Sequence, residues 1–192
     1  ATVGARHPRP GDTMAINFPL QTDRLILREF VEKDIPAVHC YASDPEVVRY
    51  MAWGPNTERD TRDAVKRWLA EQASEPRLSF SLAIVLRAGE HLIGSCSIRV
   101  SDQESRAGHI GYCLNRDYWG RGYATEAARA LVTFGFGQLG LHRIFATCDP
   151  RNLASARVLE KAGMRREGHL REHKRIRGEW RDSYLYAILE HE

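Results

Sequence analysis

The stretch YWGRGYATEA, residues 118–127, constrains this chain more than any other. Gly120 and Gly122 stand one residue apart, after the strand-like HIGYCL and before the helix-like ATEAARALVTFGFG. Glycines in that setting let the backbone turn sharply and come close to a ligand. The amides of Gly122, Tyr123, Ala124 and Thr125 would be the unpaired first donors of the helix, at the end its dipole makes attractive to anions. A diphosphate suits such a loop, and so does an ordinary strand-to-helix turn.

Two rival phosphate folds fit less well. GRGYAT matches the first two glycines of G-x-G-x-x-G, but Thr125 occupies the third position, where tight helix packing needs Gly or Ala. Only about 70 residues follow the loop, too few for a doubly wound sheet. A P-loop needs Lys-Ser/Thr after its glycines, and none is there.

The runs flanking the loop define the rest. DRLILREF alternates like a half-buried strand, and EKDIPAVHCYASDPEVVRYM and NTERDTRDAVKRWLAEQA carry helical spacing on either side of the turn AWGPN. SFSLAIVLR, HLIGSCSIRV and GHIGYCLN are strand-like and separated by short links, which implies an antiparallel meander. After the loop come a helix to about Leu139, the strand RIFATCD, a helix NLASARVLEKAG stopped by Gly163, and a closing hairpin around RGE. The pattern is a single α+β domain, expected over residues 20–192. Residues 1–19 read as a flexible leader, with Met14 as a candidate start and residues 1–13 as a remnant of expression.

With 192 residues, 43% apolar and 28% charged, the chain suits one soluble domain, expected to be cytoplasmic. No apolar run reaches the roughly 20 residues needed to span a bilayer. Cys40, Cys96, Cys113 and Cys148 are far apart, lie in apolar stretches and read as reduced, buried thiols. Arg165–Asp182 holds seven basic and four acidic residues, so the whole net charge of +3 sits there. Such a strip reads as a solvated hairpin or as a patch for an anionic ligand or nucleic acid.

From TDRLILR through GYCLNRDYWGRGYATEAARAL, HRIFATCDPRNLASARVLEKAGM and REGHLRE to GEWRDSYLYAIL, nearly the whole chain resembles a GNAT-superfamily acetyltransferase of the RimJ/RimL type. The resemblance implies a GNAT-like fold: a mostly antiparallel, twisted sheet with helices on both faces. It implies acetyl-CoA as co-substrate, held at Leu114, Trp119, Gly120, Arg121, Gly122, Tyr123, Ala124, Thr125, Asn152 and Arg157. The pantetheine arm would lie where HIGYCL and RIFATC splay apart. One position departs from the family's Q/R-x-x-G-x-G/A loop: Asp117 stands first, between Arg116 and Arg121.

Acetyl transfer to an amine needs a base, a donor for the oxyanion and a proton for the departing thiolate. His109 stands where the family often has a glutamate base; it reads equally as a solvent-facing strand histidine. Asn152 and Ser155 fall three apart at a helix start, where Asn152 is also a natural N-cap. The family assigns the Asn to pantetheine and the Ser to protonation of the thiolate. Arg157 and Lys161 suit an outer phosphate or a solvated helix face, Glu126 suits the helix dipole, and Trp53 suits the acceptor side or a helix contact. Tyr184 and Tyr186 read as core. His169 and His173 lack a convincing third ligand, so no metal is expected.

The expected activity is direct acetyl transfer to a primary amine, first of all a protein N-terminus. The alternatives are a small-molecule amine acceptor (polyamine, amino sugar or amino acid) and a non-catalytic CoA-sensing module. No membrane or nucleic-acid partner is expected, and a homodimer is open.

Overall fold

The computed structural model describes residues 16–192. Most of the leader, Met14 included, lies outside the described residues. Among the described residues, eight strands form one sheet in the order β1-β2-β3-β4-β5-β6-β8-β7. They are β1 (Leu20–Gln21), β2 (Leu25–Glu29), β3 (Ser79–Leu86), β4 (Leu92–Asp102), β5 (Ala107–Leu114), β6 (Arg143–Cys148), β7 (Arg165–Ile176) and β8 (Glu179–Leu189). Every neighbouring pair is antiparallel except β5–β6. That exception follows from the chain crossing over through the helix after the glycine loop.

The helices are α1 (Ile35–Ala42), α2 (Glu58–Gln72), α3 (Tyr123–Gly137) and α4 (Leu153–Lys161). Alternation along the strands sorts the core into two layers. Leu82, Ile98, Ile110 and Ile144 join Leu131 of α3 and Leu159 of α4 on one face. Ala83, Val85 and Cys113 join Val38 of α1 and Val65 of α2 on the other. Phe18 packs into the first layer, its ring 5.4 Å from Phe134 and 6.3 Å from Phe80.

One helix is shorter than its periodicity predicts. A 3-10 turn over Glu32–Asp34 leads into α1, which ends at Ala42, and residues 45–50 form turns. Pro45 is the cause: it steers Asp44 away from helical geometry and offers no amide to a continuing ladder. The cysteine expectation also needs correcting. Cys96, Cys113 and Cys148 are buried, but Cys40 is exposed, because α1 turns Val38, Tyr41 and Ala42 inward.

Candidate functional site

Strand β5 delivers the glycine loop. The Asn115 side chain accepts from the Asp117 amide at 3.1 Å and starts a 3-10 turn over Arg116–Tyr118. The Trp119 indole then donates to the Leu114 carbonyl at 2.8 Å, locking the loop to the end of its strand. Gly120 and Gly122 adopt φ of +74° and +81°, which L-residues avoid. A Cβ at Gly120 would meet nothing within 4 Å, so the surface there is open to a ligand. α3 begins at Tyr123 without a side-chain cap, and its first backbone bond runs from Glu126 N to Gly122 O. Its leading amides therefore face outward with no partner in the helix.

Glu126 braces this loop from behind. Its carboxylate accepts from Thr22 Oγ1 at 2.6 Å, Arg24 N at 2.8 Å and Arg24 Nε at 2.7 Å. Burial works to raise the Glu126 carboxyl, but these bonds and the Arg24 charge hold it below its ordinary range. Arg24 also donates to the Arg121 carbonyl at 3.0 Å and lies 4.5 Å over the Tyr123 ring. The turn before β2 thus fixes where α3 starts.

Beside the loop the sheet opens. The β5–β6 ladder holds only Ala107–Arg143, Gly108–Ile144 and His109–Phe145. Beyond it a cavity of about 430 Å³ runs between the strands, lined by Ile110 to Cys113 on one side and Ala146 to Asp149 on the other. It reaches both faces of the sheet, meeting Trp53 and His109 on the α1–α2 side and Asn152 and Ser155 of α4 on the other.

His109 is half-buried, with its ring edge-on to Phe145 at 5.2 Å. Burial pushes its pKa down to about 4, helped by the charges of Lys174 and Arg99. The imidazole is thus neutral at physiological pH, with a nitrogen lone pair free for a proton. Across the gap, Asn152 caps α4 by accepting from the Ser155 amide at 3.0 Å. The Ser155 hydroxyl lies 3.0 Å from the Tyr112 hydroxyl, which itself donates to the Ser155 carbonyl at 3.1 Å. Burial raises the Tyr112 phenol well above its ordinary pKa, so it stays protonated.

The loop between α1 and α2 covers one mouth of the cavity, and the tip of the β7–β8 hairpin holds it there. Arg177 donates to the carbonyls of Gly54 at 2.8 Å, Val48 at 3.2 Å and Trp53 at 3.3 Å.

A crossover helix springing from a glycine loop beside a splayed parallel pair is a specific arrangement, and the comparisons agree with it. Residues 24–165 match the family described as Acetyltransferase (GNAT) domain. The chain belongs to the GNAT acetyltransferases. An uncharacterized N-acetyltransferase of Bacillus subtilis (strain 168), YnaD, is 40% identical over 173 residues, 90% of this chain and 98% of the relative. The [ribosomal protein uS5]-alanine N-acetyltransferase of Escherichia coli (strain K12) is 32% identical over 80 residues, 42% of this chain and 41% of the relative. A GNAT-family acetyltransferase structure from Bacillus anthracis superposes with a TM-score of 0.82 at 39% identity, covering 91% and 100% of the two chains. The ribosomal-protein acetyltransferase RimL, in complex with coenzyme A, superposes at 0.78 with 21% identity, covering 89% and 96%.

As a GNAT enzyme the protein is an acyl-CoA-dependent N-acetyltransferase. Among the residues singled out from sequence, the cavity gathers Trp53, His109, Asn152 and Ser155. Gly120 to Thr125 form the loop and first turn beside it. Leu114 is buried and Trp119 braces it. Arg157 is exposed on α4 and does not line the cavity. Tyr186 is buried, its hydroxyl donating to Glu160, and His169 pairs with Asp182 at 2.6 Å. Among the described residues no group of three His, Cys, Asp or Glu gathers to hold a metal. Sequence reasoning missed Tyr112, because it followed the face that His109 shares with Gly111 and Cys113. The cavity passes through the sheet, so it takes residues from both faces.

Proposed function

We propose that the enzyme transfers the acetyl group of acetyl-CoA directly to the N-terminal α-amino group of a protein. The observation that carries this reading is the cavity through the β5–β6 gap, with a neutral base at one side and a hydroxyl pair at the other. The open α3 amides from Gly122 to Thr125 suit a diphosphate, with Gly120 leaving it room, and Asn152 lines the adjoining stretch. Acetyl-CoA, as co-substrate, supplies an activated thioester carbonyl.

His109 takes a proton from the incoming amine on the loop side of the sheet. Ser155, in contact with Tyr112, passes a proton toward the departing sulfur on the α4 side. The thiols of Cys113 and Cys148 are pushed up to about 12 and about 11 by burial, so neither suits an acyl-enzyme route. A base as weak as His109 matches an easily deprotonated acceptor. An α-amine with pKa near 7.7–8.0 needs only about 1 kcal/mol to lose its proton at neutral pH, against roughly 4–5 kcal/mol for a lysine amine. The relative that acetylates ribosomal protein uS5 points the same way.

A small amine is the second reading, because about 430 Å³ lies within the ordinary range for small-molecule pockets. Thiol release from acetyl-CoA across a mixed acceptor panel tests both, with product mass confirmed. Turnover on peptides with free Ala, Ser or Thr N-termini supports the protein reading. Turnover confined to polyamines, aminoglycosides or amino acids replaces it.

A further inference from the structure

Alternation places Lys174 and Arg181 with His109 along the sheet face covered by the α1–α2 loop, and both line the cavity. Lys174 is half-buried, and its ammonium has a hydroxyl partner, Thr147 Oγ1 at 2.9 Å. No carboxylate lies within ion-pair distance of it among the described residues. Arg181 donates to the Arg49 carbonyl at 3.2 Å and reaches the exposed Glu179 at 3.4 Å, while its buried Nε has no acceptor among the described residues. The two carboxylates that line the cavity are already engaged. Asp149 takes a bidentate pair of bonds from Arg151 at 2.9 and 2.7 Å. Asp182 takes His169 at 2.6 Å and the Glu172 amide at 2.9 Å. Lys174 is therefore a cavity-lining cation with no carboxylate partner among the described residues, and a desolvated ammonium gains most from an anionic partner.

We propose that Lys174 and Arg181 form a subsite for a carboxylate on the acceptor, so that the preferred amine belongs to a molecule with an acidic group in the amine's own residue or the next. This rests on the acceptor reading above and narrows it: among protein N-termini, those with Asp or Glu in the first two positions bind best. It also gives the basic strip a use that is neither a solvated hairpin nor a nucleic-acid patch, since Arg177 clamps a loop and Lys174 turns into the site.

The test uses the full chain with saturating acetyl-CoA at fixed ionic strength. Two matched pairs of acceptors are compared by KM: peptides beginning Ala-Glu and Ala-Gln, and β-alanine with its amide. The expected KM of the Ala-Glu peptide is about ten-fold or more below that of Ala-Gln, as a charge-assisted hydrogen bond in place of a neutral one implies. Lys174→Met is expected to bring that ratio close to one, and Lys174→Arg to preserve it. The wild-type ratio decides the matter even where a variant folds poorly. Peptides turned over with a ratio of one keep the N-terminal reading and overturn the subsite. Peptides ignored while β-alanine outperforms its amide, in a way that depends on Lys174, overturn the N-terminal reading and keep the subsite. A ratio of one in both pairs, or no turnover with any of the four, overturns the subsite.

Discussion

Replacing His109 with Gln should change how stability depends on pH, and the size of the change can be worked out. In the folded cavity the imidazole has a pKa of about 4, held down first by burial and then by the charges of Lys174 and Arg99. In the unfolded chain it returns to about 6.5. Above about pH 6.5 it is neutral in both states and contributes no pH dependence. Between about 6.5 and 4 the unfolded chain binds a proton that the native cavity refuses, so the native state loses stability as the pH falls. Below about 4 both states are protonated and the loss is complete. At 1.36 kcal/mol per pKa unit the full loss is about 3 kcal/mol. Urea unfolding of wild type and His109→Gln at pH 7.5, 6.0, 5.0 and 4.5 reads it directly. Carboxylates also titrate in this window, but they do so in both proteins and cancel in the difference. The variant should gain on wild type by about 2 kcal/mol or more between pH 7.5 and 4.5. Parallel curves would refute the placement of this ring in a desolvated cavity close to Lys174 and Arg99.

Other substitutions probe the remaining parts. Ser155→Ala and Tyr112→Phe should each lower kcat by roughly 100-fold with little change in KM for acetyl-CoA, if proton delivery to sulfur passes through their shared contact. The double variant should then be little worse than either single one, and rates near wild type in both would assign the proton to another donor. Gly122→Ala places a side chain at φ +81°, so it should cost about 1 kcal/mol in chemical denaturation and raise KM for acetyl-CoA. Unchanged stability would mean the loop can flip to another conformation. Glu126→Ala removes the acceptor of Thr22 and Arg24 and should cost about 2–3 kcal/mol, with Glu126→Gln costing less; equal losses would show that its charge does not matter.

Much of this was legible because the informative signals are local. The glycine loop, the Asn152 cap and the alternating strands each need only a few neighbouring residues, and the structure has them where the pattern puts them. The acetyltransferase family was legible for the same reason, as an ordered set of short motifs. What escaped depends on distant partners. Arg24 matters through Glu126, 102 residues away, and nothing beside either residue announces the pair. Arg177 looks like any hairpin arginine until its tip meets the carbonyls of Val48 and Gly54. Tyr112 was hidden by strict alternation, which sorts side chains by face but does not show that two strands part company. Pro45, by contrast, was visible, and the helical spacing around it outweighed the break it imposes.

The parting of β5 and β6 has one more consequence. A strand without a neighbour is ordinarily a hazard, because its amides and carbonyls can recruit a foreign chain. This enzyme keeps two such edges in its interior, each backed on its far side by a full ladder to β4 or β8. The α1–α2 loop, pinned by Arg177, stands over one opening and α4 over the other. A slender ligand can enter where a second strand cannot follow. Backbone polarity that would promote aggregation on an outer rim is thus kept for a guest of the right width.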